Sequence, residues 1–372
     1  MNVLLPTPPL AVDDEILSLL TADSPVAFGV SGGKDSQAAV IAGFRYLDSI
    51  GHAGPRVLVH ADLGSVEWKD SLPACEKLAR NVGAELVVVS RKAGGLMERW
   101  EARWQSSLTR YRELSTVTLV LPWSTPGMRF CTSEQKTHVI TAELKRRFKG
   151  RQIINVTGVR RAESAARARS TVTGWDADRR ILTWRPIVEW STEQVFEAID
   201  NSGVAPHPAY REFGMGRVSC RFCIMSNWAD MVAAAAQPEA HDIYRRMVGL
   251  EAGSTFAFQG SRWLGDVAPH LLNPNLAVRL AQGKVRAARR VAAERRITKP
   301  MLYVKGWPTR MLTDAEADVL ASVRAEVADI VGFAPSFTDR SSIHSRYAHL
   351  MADRPRAADT PQREGTGNAD HS

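Results

Sequence analysis

The residues best suited to chemistry in this sequence lie in one short stretch, Ser31-Gly32-Gly33-Lys34-Asp35-Ser36. An apolar run over 26–30 precedes the stretch, and a helical pattern over 37–47 follows it. A strand, a glycine turn and a helix in this order direct backbone N–H groups and the positive end of the helix at an anion. The glycines leave no Cβ in the way of a ligand, and the serines and the lysine add hydroxyl and ammonium donors. The stretch predicts a phosphate-binding turn. The alternative is an ordinary glycine turn between a core strand and a core helix.

Further apolar runs over 57–61, 85–89 and 153–157 alternate with helical patterns. This order predicts an α/β fold with a doubly wound, mostly parallel sheet covered on both faces. Ligands of such sheets lie beyond the carboxyl ends of the strands. The glycine turn and Asp62 both follow strands at that edge, so we expect them to share one site. Taken alone, Asp62 is more typical of a loop or a helix cap.

The strand over 153–157 leads into a second group of candidate residues, Gly158, Arg160 and Arg167. Several guanidinium groups beside a strand end suit bidentate binding of phosphate or sulfate oxygens. The interpretation depends on their position at the strand end, because arginines at a helix start carry little information alone. A strand-like stretch over 181–187 follows, and Ser191 with Gln194 predicts a capping box for a helix that ends near residue 201.

Two of the four cysteines form the pair Cys220-x-x-Cys223, and thiolates at this spacing can bind one metal ion or one cluster iron. A thioredoxin-type redox pair is the competing interpretation, although such a pair normally follows the first strand of its own domain. The pair needs a further ligand, for which Cys131 is the first candidate and His207 or His138 the next.

Cys131 lies just before a predicted helix that runs to about residue 148, for which Thr132 and Gln135 predict a capping box. A helix N-terminus favours the thiolate over the thiol, which suits a metal ligand or a nucleophile. A cysteine without a role could occupy the same place. Cys75, inside the second helical pattern, is predicted to be a small buried apolar residue.

The composition, with 372 residues, 44% hydrophobic and 24% charged, is typical of a soluble globular protein. No apolar run approaches the length of a membrane span, and the first residues do not have the pattern of a signal peptide. Four cysteines are too few for a disulfide framework. We therefore expect a cytoplasmic protein with no membrane partner.

The net charge of +8 is concentrated in residues 279–299, where eight Lys or Arg stand against the single acid Glu294. The residues predicted to pack along one helical face are apolar and recur at helical spacing: Val278, Ala281, Val285, Ala288 and Ala292. The basic residues, Arg286, Arg289 and Arg290 among them, are then expected to point outward and to bind an anionic partner such as a nucleic acid. A solvated helix face is the alternative.

These patterns predict four segments: an N-terminal segment (1–23), a nucleotide-binding domain (24–225), a helical basic C-terminal region (226–351) and a disordered tail (352–372). The tail is predicted from its lack of large apolar side chains. No internal repeat is apparent.

Residues 24–225 resemble the phosphoadenosine-phosphosulfate reductase family of the pyrophosphate-loop, adenine-nucleotide α-hydrolase-like superfamily. The resemblance rests on motifs in the family's order: Ser31-Gly32-Gly33-Lys34-Asp35-Ser36, Asp62-Leu63-Gly64, Arg129-Phe130-Cys131-Thr132 with Lys136, Gly158-Val159-Arg160 with Glu163-Ser164 and Arg167, Arg185-Pro186-Ile187 with Trp190, His207-Pro208-Ala209-Tyr210, and Cys220-Arg221-Phe222-Cys223.

The resemblance implies an enzyme that binds an adenine nucleotide and splits ATP between the α and β phosphates. It implies that Lys34, Asp35 and Asp62 act in catalysis, with Mg²⁺ held through one of the two aspartates. The implied nucleotide-binding residues are those of the glycine turn together with Gly158, Arg160 and Arg167.

Two departures from the family pattern bear on the reaction. The reductases use a nucleophilic cysteine near the C-terminus, and this sequence has no cysteine after Cys223. Phe130 replaces the first cysteine of a Cys-Cys pair, which leaves three thiols, Cys131, Cys220 and Cys223. Three cysteines resemble the cluster sites of relatives that thiolate nucleic acids, and this implies a four-iron (4Fe-4S) cluster. Zinc with a histidine as fourth ligand is the alternative.

The function implied is ATP-dependent activation, forming AMP and pyrophosphate, coupled to sulfur transfer onto a nucleic acid or a nucleotide. A cysteine desulfurase is the expected sulfur donor. The alternatives are a sulfonucleotide reductase, disfavoured by the missing cysteine, and a binding module without catalysis, disfavoured by the intact glycine turn.

Overall fold

The structure, a computed structural model, describes residues 8–354. Its six strands are β1 Val26–Val30, β2 Arg56–Asp62, β3 Glu85–Ser90, β4 Ile153–Val156, β5 Thr173–Trp175 and β6 Ile181–Trp184. Its helices are α1 Asp14–Thr21, α2 Lys34–Ser49, α3 Ser71–Asn81, α4 Leu96–Arg112, α5 Phe130–Thr132, α6 His138–Arg147, α7 Thr192–Asp200, α8 Pro208–Arg211, α9 Trp228–Ala235, α10 His241–Ser254, α11 Pro274–Glu294, α12 Asp314–Val331 and α13 Arg340–Ala352.

The described chain forms two compact units. Residues 8–96 and 126–236 form the first, and residues 97–125 and 237–354 form the second. The segment 97–125 lies within the predicted 24–225 domain in sequence but belongs to the second unit in the structure. The predicted boundaries themselves stay predictions. The predicted disordered tail lies, from residue 355 onward, outside the described residues.

The first unit contains one six-stranded sheet in the order β3-β2-β1-β4-β6-β5. All neighbouring pairs are parallel except β5 and β6, which are antiparallel. The predicted α/β fold with a mostly parallel sheet is confirmed. The antiparallel edge strand β5 was not predicted, because three residues with a central glycine carry no strand pattern.

Both faces of the sheet are buried, as the uninterrupted apolar runs predict. On one face, Phe28 of β1 packs in a cluster with residues of α2 and α7. On the other face, Ala27 of β1 packs with Leu144 of α6 and with Phe148. Helices therefore pack on both faces of the sheet, and the loops that follow the strands extend from its carboxyl edge.

Two local features of the first unit differ from the sequence prediction. Helix α1 was not predicted, although Asp13 caps it by accepting a hydrogen bond from the Ile16 amide (3.1 Å). The capping box at Thr132 and Gln135 is wrong, because the chain already turns helically at Phe130 and continues through a π turn, Ser133–Thr137. Thr132 thus has helical backbone angles, and Cys131 lies inside the first helical turn instead of before it. The box at Ser191 and Gln194 is confirmed.

In the second unit, the prediction for α11 is wrong about which face packs. The buried residues are Leu276, Leu280, Gly283, Ala287, Arg290 and Ala293. The stripe from Val278 to Ala292 that was expected to pack is exposed. A helix with two apolar stripes can pack either one. Here the choice follows from Gly283, where an added Cβ would lie 2.8 Å from the Ala252 carbonyl oxygen of α10.

Arg290 was expected to point outward, and this is also wrong. Its side chain is buried, ion-paired with Glu294, and donates from Nε to Thr255 Oγ1 (2.9 Å). The guanidinium lies 3.8 Å from the centroid of the Phe256 ring. Arg290 therefore contributes to the core of the second unit and is not available to an anion in solvent.

Nowhere between residues 8 and 354 is a helix long and apolar enough to cross a membrane.

Candidate functional site

The glycine turn connects the end of β1 to the start of α2, as the sequence predicts. Gly32 has φ +75°, a left-handed conformation that strains any residue with a Cβ. An added Cβ there would also lie 3.1 Å from Ser71 Cα at the start of α3 and 3.2 Å from His207 Cδ2. Gly33 is the N-cap of α2 and has no side chain with which to cap the helix. The positive end of a 16-residue helix therefore begins at a glycine turn, which suits an anion.

Gly158, at the end of β4, lies directly against the first turn of α2. A Cβ at Gly158 would lie 2.5 Å from the carbonyl carbon and oxygen of Asp35 and 2.6 Å from the amide nitrogen of Ser36. These are backbone atoms of a helix start, so they cannot move aside as a flexible side chain could. The glycine therefore permits the contact between β4 and the turn.

Asp35 lies between two cations. Its Oδ2 is 3.2 Å from Lys34 Nζ, and its Oδ1 accepts from Arg160 Nε at 2.6 Å. Arg160 is buried and also donates from Nη1 to the Trp190 carbonyl (3.2 Å). The structure thus brings Lys34, Asp35 and Arg160 together. It gives the arginine an internal ion pair in place of an exposed anion-binding position.

Glu163 ties the predicted arginines to one another. It accepts from the Arg160 amide at 2.9 Å and forms an ion pair with Arg167. The segment between them consists of two short 3₁₀ turns, Arg161–Glu163 and Arg167–Arg169. Arg167 is half-buried, so part of its guanidinium still faces solvent.

Tyr210 belongs to the motif His207-Pro208-Ala209-Tyr210, for which the sequence predicted no role in the site. Its hydroxyl accepts a hydrogen bond from the Lys34 amide (3.0 Å), and its ring centroid lies 5.2 Å from Lys34 Nζ. Burial raises the pKa of Tyr210 to about 12, so the phenol keeps its proton. Tyr210 thereby positions both the first amide of α2 and the lysine side chain.

Asp62 ends β2, and its Oδ1 accepts from the Gly64 amide at 2.8 Å. The carboxylate therefore caps its own turn. The strands β2, β1 and β4 are adjacent and parallel, so Asp62, the glycine turn and Gly158 follow their strands at one edge of the sheet. This shared edge is what the sequence predicted.

Beneath the turn, His60 of β2 links three elements. Its Nδ1 lies 3.1 Å from the Val30 carbonyl oxygen and 3.7 Å from Cys75 Sγ, and its Nε2 lies 3.1 Å from Glu67 Oε2. Burial lowers the pKa of His60, but the hydrogen bonds with Cys75 and Glu67 outweigh burial and raise it to about 10. Cys75 is buried as predicted, but it also contacts this imidazole. The sequence feature that could have predicted this group of contacts is a histidine within an otherwise apolar strand.

None of the four cysteines, all within the described part of the chain, forms a disulfide. Burial raises the pKa of the Cys220 thiol, the charge of Cys223 raises it further, and Lys136 opposes the rise. Cys131 also acts on Cys220, so folding brings the first thiol into electrostatic range of the pair. The Arg221 amide, between the paired cysteines, donates to the Val66 carbonyl (2.9 Å), which ties their loop to the segment after β2.

Across residues 8–354, no group of three or more His, Cys, Asp and Glu side chains could hold a metal ion. Cys131, Cys220 and Cys223 do not form such a group in this arrangement, and their role as metal ligands stays a prediction. Asp35 is engaged by two cations and Asp62 by its own turn.

The family model of the phosphoadenosine phosphosulfate reductase domain matches residues 25–226, more than half of the chain. The chain belongs to this family. The match includes the glycine turn, Gly158, Arg160 and the three candidate thiols. The fold of the first unit, with its mostly parallel sheet, agrees with this membership.

Two protein relatives were found. An uncharacterised 37.8 kDa protein of Escherichia phage 186 is 26% identical over 251 residues, which cover 56% of this chain and 73% of that protein. The adenosine 5'-phosphosulfate reductase of Streptomyces coelicolor is 39% identical over 67 residues, which cover 18% of this chain and 28% of that protein.

The similar solved structures include a reductase and a thiolase. A phosphoadenylyl-sulfate reductase from Candida auris, in a phosphate complex, is 14% identical with a TM-score of 0.34, covering 57% of this chain and 98% of that chain. The tRNA thiolase NcsA from Methanococcus maripaludis, with its 4Fe-4S cluster, is 12% identical with a TM-score of 0.33, covering 67% of this chain and 81% of that chain.

Proposed function

We propose that this member of the phosphoadenosine phosphosulfate reductase family cleaves ATP to AMP and pyrophosphate and uses the AMP group to activate an acceptor for sulfur transfer. The observation that carries the proposal is the glycine turn. Its left-handed Gly32 and its glycine N-cap add no Cβ at the positive end of α2, and Lys34 adds an ammonium group there. Such a turn suits the β and γ phosphates, where charge develops as pyrophosphate leaves.

The first step is attack by an oxygen of the acceptor on the α-phosphorus. The new P–O bond forms as the bond to the β-phosphate oxygen breaks, and pyrophosphate leaves with the electron pair. In this proposal the turn amides and Lys34 stabilise the leaving group, while Tyr210 and Asp35 hold Lys34 in place. Mg²⁺ is expected to enter with the ATP phosphates, since it is usually bound by substrate phosphates and one or two carboxylates.

In the second step, hydrosulfide attacks the activated carbon of the acceptor. A C–S bond forms, the C–O bond to AMP breaks, and AMP leaves with the electron pair, so no net oxidation or reduction is required. The class of acceptor implied is a carbonyl-bearing base of a nucleic acid or a nucleotide.

Lys34→Ala tests the first step, with Lys149→Ala as the matched control because Lys149 is exposed on the same unit. Products from α-labelled ATP are separated by chromatography in the presence of Mg²⁺, hydrosulfide and pools of RNA, DNA or free nucleotides. We expect AMP, a loss of roughly 10²-fold in rate for Lys34→Ala, and no loss for Lys149→Ala. ADP as the product would contradict the proposal.

The four-iron cluster on Cys131, Cys220 and Cys223 stays a prediction and is given no step in the reaction. It is tested by metal analysis of protein purified without oxygen, for which the prediction is about four iron per chain. Zinc at about one per chain would instead support the alternative of a structural metal.

A sulfonucleotide reductase is the second candidate, and the local match to the Streptomyces coelicolor enzyme favours it. Such an enzyme releases sulfite from a phosphosulfate nucleotide in the presence of a thiol reductant and needs no ATP cleavage. Sulfite release without AMP formation from ATP would replace the first proposal by this one.

A further inference from the structure

Three polar side chains beneath the glycine turn, His60, Glu67 and Cys75, take no part in the proposed reaction. They belong to β2, to the segment after it and to α3, all within the first unit. His60 and Cys75 are each 1% exposed, and the Glu67 side chain is 14% exposed. Buried polar groups are costly unless they are paired, so the contacts within this group decide what it can do.

The contacts of His60 fix its charge. A backbone carbonyl oxygen only accepts hydrogen bonds, so the 3.1 Å contact between Nδ1 and the Val30 carbonyl oxygen requires a proton on Nδ1. The Glu67 carboxylate also accepts, so its 3.1 Å contact with Nε2 requires a proton on the second ring nitrogen. An imidazole with both protons is a cation. His60 is therefore an imidazolium in a fixed orientation, and the charge of Glu67 balances it.

Cys75 places its thiol beside this cation. Its Sγ lies 3.7 Å from His60 Nδ1, which is within hydrogen-bonding range for sulfur. An imidazolium next to a thiol favours the thiolate, which is the nucleophilic form. Because Nδ1 keeps its proton for the Val30 carbonyl, His60 acts on the thiol through its charge and not as a base. Cys75 thus differs from a buried cysteine with only apolar neighbours, which is inert.

A small cavity connects the thiol with the glycine turn. Its lining includes Cys75 of α3 together with Gly32, Ser36 and Gln37 of the turn and of α2. The cavity is partly open to solvent and is narrow, so only reagents of a few atoms are expected to reach Sγ. The charge beside the sulfur and the cavity in front of it are independent observations, and both indicate a reactive thiol.

We propose that Cys75 is a modification site for hydrogen peroxide, which enters through this cavity and reacts with a thiol activated by the pair of His60 and Glu67. The site is additional to the proposed reaction, since none of these three residues is given a step in it. Its effect on the nucleotide, described next, rests on the proposed function.

The reaction is a two-electron oxidation of sulfur. The Cys75 thiolate attacks one oxygen of hydrogen peroxide, the S–O bond forms as the O–O bond breaks, and hydroxide leaves with the electron pair. The hydroxide takes up the proton that the thiol released, so the products are Cys75 sulfenic acid and water. The added oxygen occupies the cavity beside Gly32 and Ser36. If ATP binds at the glycine turn, as proposed above, oxidation should weaken its binding.

The test exposes the full-length protein to hydrogen peroxide for a fixed time and stops the reaction with catalase. The protein is then unfolded, sulfenic acid is trapped with dimedone, the remaining thiols are alkylated, and peptide mass spectrometry reports each cysteine separately. In parallel, tert-butyl hydroperoxide supplies the same O–O bond in a molecule too bulky for the cavity. Glu67→Gln removes the carboxylate that balances the imidazolium. Glu76→Gln is the matched control, because Glu76 is an exposed glutamate next to Cys75 on α3.

We expect hydrogen peroxide to oxidise Cys75 at the same rate in the wild type and in Glu76→Gln, and about tenfold more slowly in Glu67→Gln. The bulky peroxide should leave Cys75 reduced. The proposal is overturned if Cys75 stays reduced under hydrogen peroxide, or if Glu67→Gln, folded by circular dichroism, is oxidised at the wild-type rate. It is also overturned if both peroxides oxidise Cys75 equally, since the reaction would then require unfolding. This last comparison needs only the wild type, so it decides even if Glu67→Gln does not fold.

Titration of a fluorescent ATP analogue before and after oxidation tests the effect on the turn. We expect binding to weaken about tenfold in the wild type, as for overpacking of a site by one heavy atom, and to stay unchanged in Cys75→Ser. Unchanged binding by fully oxidised wild type would overturn the effect on the turn. If the untreated wild type does not bind ATP, the proposed function is contradicted instead, and the mass spectrometry still decides whether Cys75 is the peroxide site.

Discussion

The contact between Gly158 and the start of α2 gives the sharpest test of how the candidate site is built. In Gly158→Ala the new Cβ would lie 2.5 Å from backbone atoms of Asp35, about 0.9 Å closer than an ordinary contact of 3.4 Å. The end of β4 and the first turn of α2 must separate by that amount. Overpacking of this kind costs about 1–3 kcal/mol, and because the opposing atoms are backbone we expect the upper end. For a unit of this size, 3 kcal/mol lowers Tm by roughly 6–12 °C.

The assay is thermal unfolding followed by circular dichroism, together with titration of ATP at a temperature where both proteins are folded. Gly127→Ala is the matched control, because nothing lies within 4 Å of its Cβ position and it belongs to the same unit. We expect the control to unfold within about 2 °C of the wild type, which is under 1 kcal/mol for this size. We also expect only Gly158→Ala to weaken ATP binding, since Asp35 moves with the turn. A Tm for Gly158→Ala equal to that of the control would refute the reasoning.

Three further predictions follow from single positions. Gly32→Ala should lower stability by about 1–2 kcal/mol, the cost of a left-handed alanine. Gly33→Ala should instead keep the stability of the wild type and weaken only ATP binding. Equal midpoints of urea unfolding for the two variants would contradict this prediction. Gly283→Ala should destabilise the second unit by about 1–3 kcal/mol. The control Gly253→Ala should not, because nothing lies within 4 Å of its Cβ position. If the two variants lose tryptophan fluorescence at the same urea concentration, the close contact between α10 and α11 is contradicted. Burial raises the pKa of Glu251 to about 7 in the folded state, against three opposing backbone hydrogen bonds. Between about pH 4.5 and 7 the folded state therefore binds more protons than the unfolded state, so stability should fall by about 3 kcal/mol as pH rises across that window. Glu251→Gln should abolish that slope, and an unchanged slope would assign it to another group.

Much of the candidate site follows from local sequence. The run from Val26 to Ser36 predicted the strand, the turn and the helix, because an apolar run, two glycines and a helical pattern each act over a few residues. The alternation of such units predicted the parallel sheet, and the sheet placed Asp62 and Gly158 at the same edge. These features need no knowledge of distant contacts.

The partners within the site could not be read from the sequence. Asp35 and Arg160 are 125 residues apart, and Lys34 and Tyr210 are 176 apart. The charge of a side chain predicts attraction, but not which opposite charge the fold will bring near. For this reason Arg160 was expected to face an anion, whereas in the structure its guanidinium is buried against Asp35.

Helix α11 shows the same division most clearly. Its sequence determined that it is helical, basic and apolar on two sides, since periodicity alone sets these properties. Which side packs was decided by tertiary structure, because Gly283 lets α10 approach one face, and Thr255 and Glu294 satisfy the buried Arg290 there. The stripe that contains Val278 and Val285 was left on the other face, in solvent, since burying an apolar stripe requires a neighbour and only the folded chain supplies one.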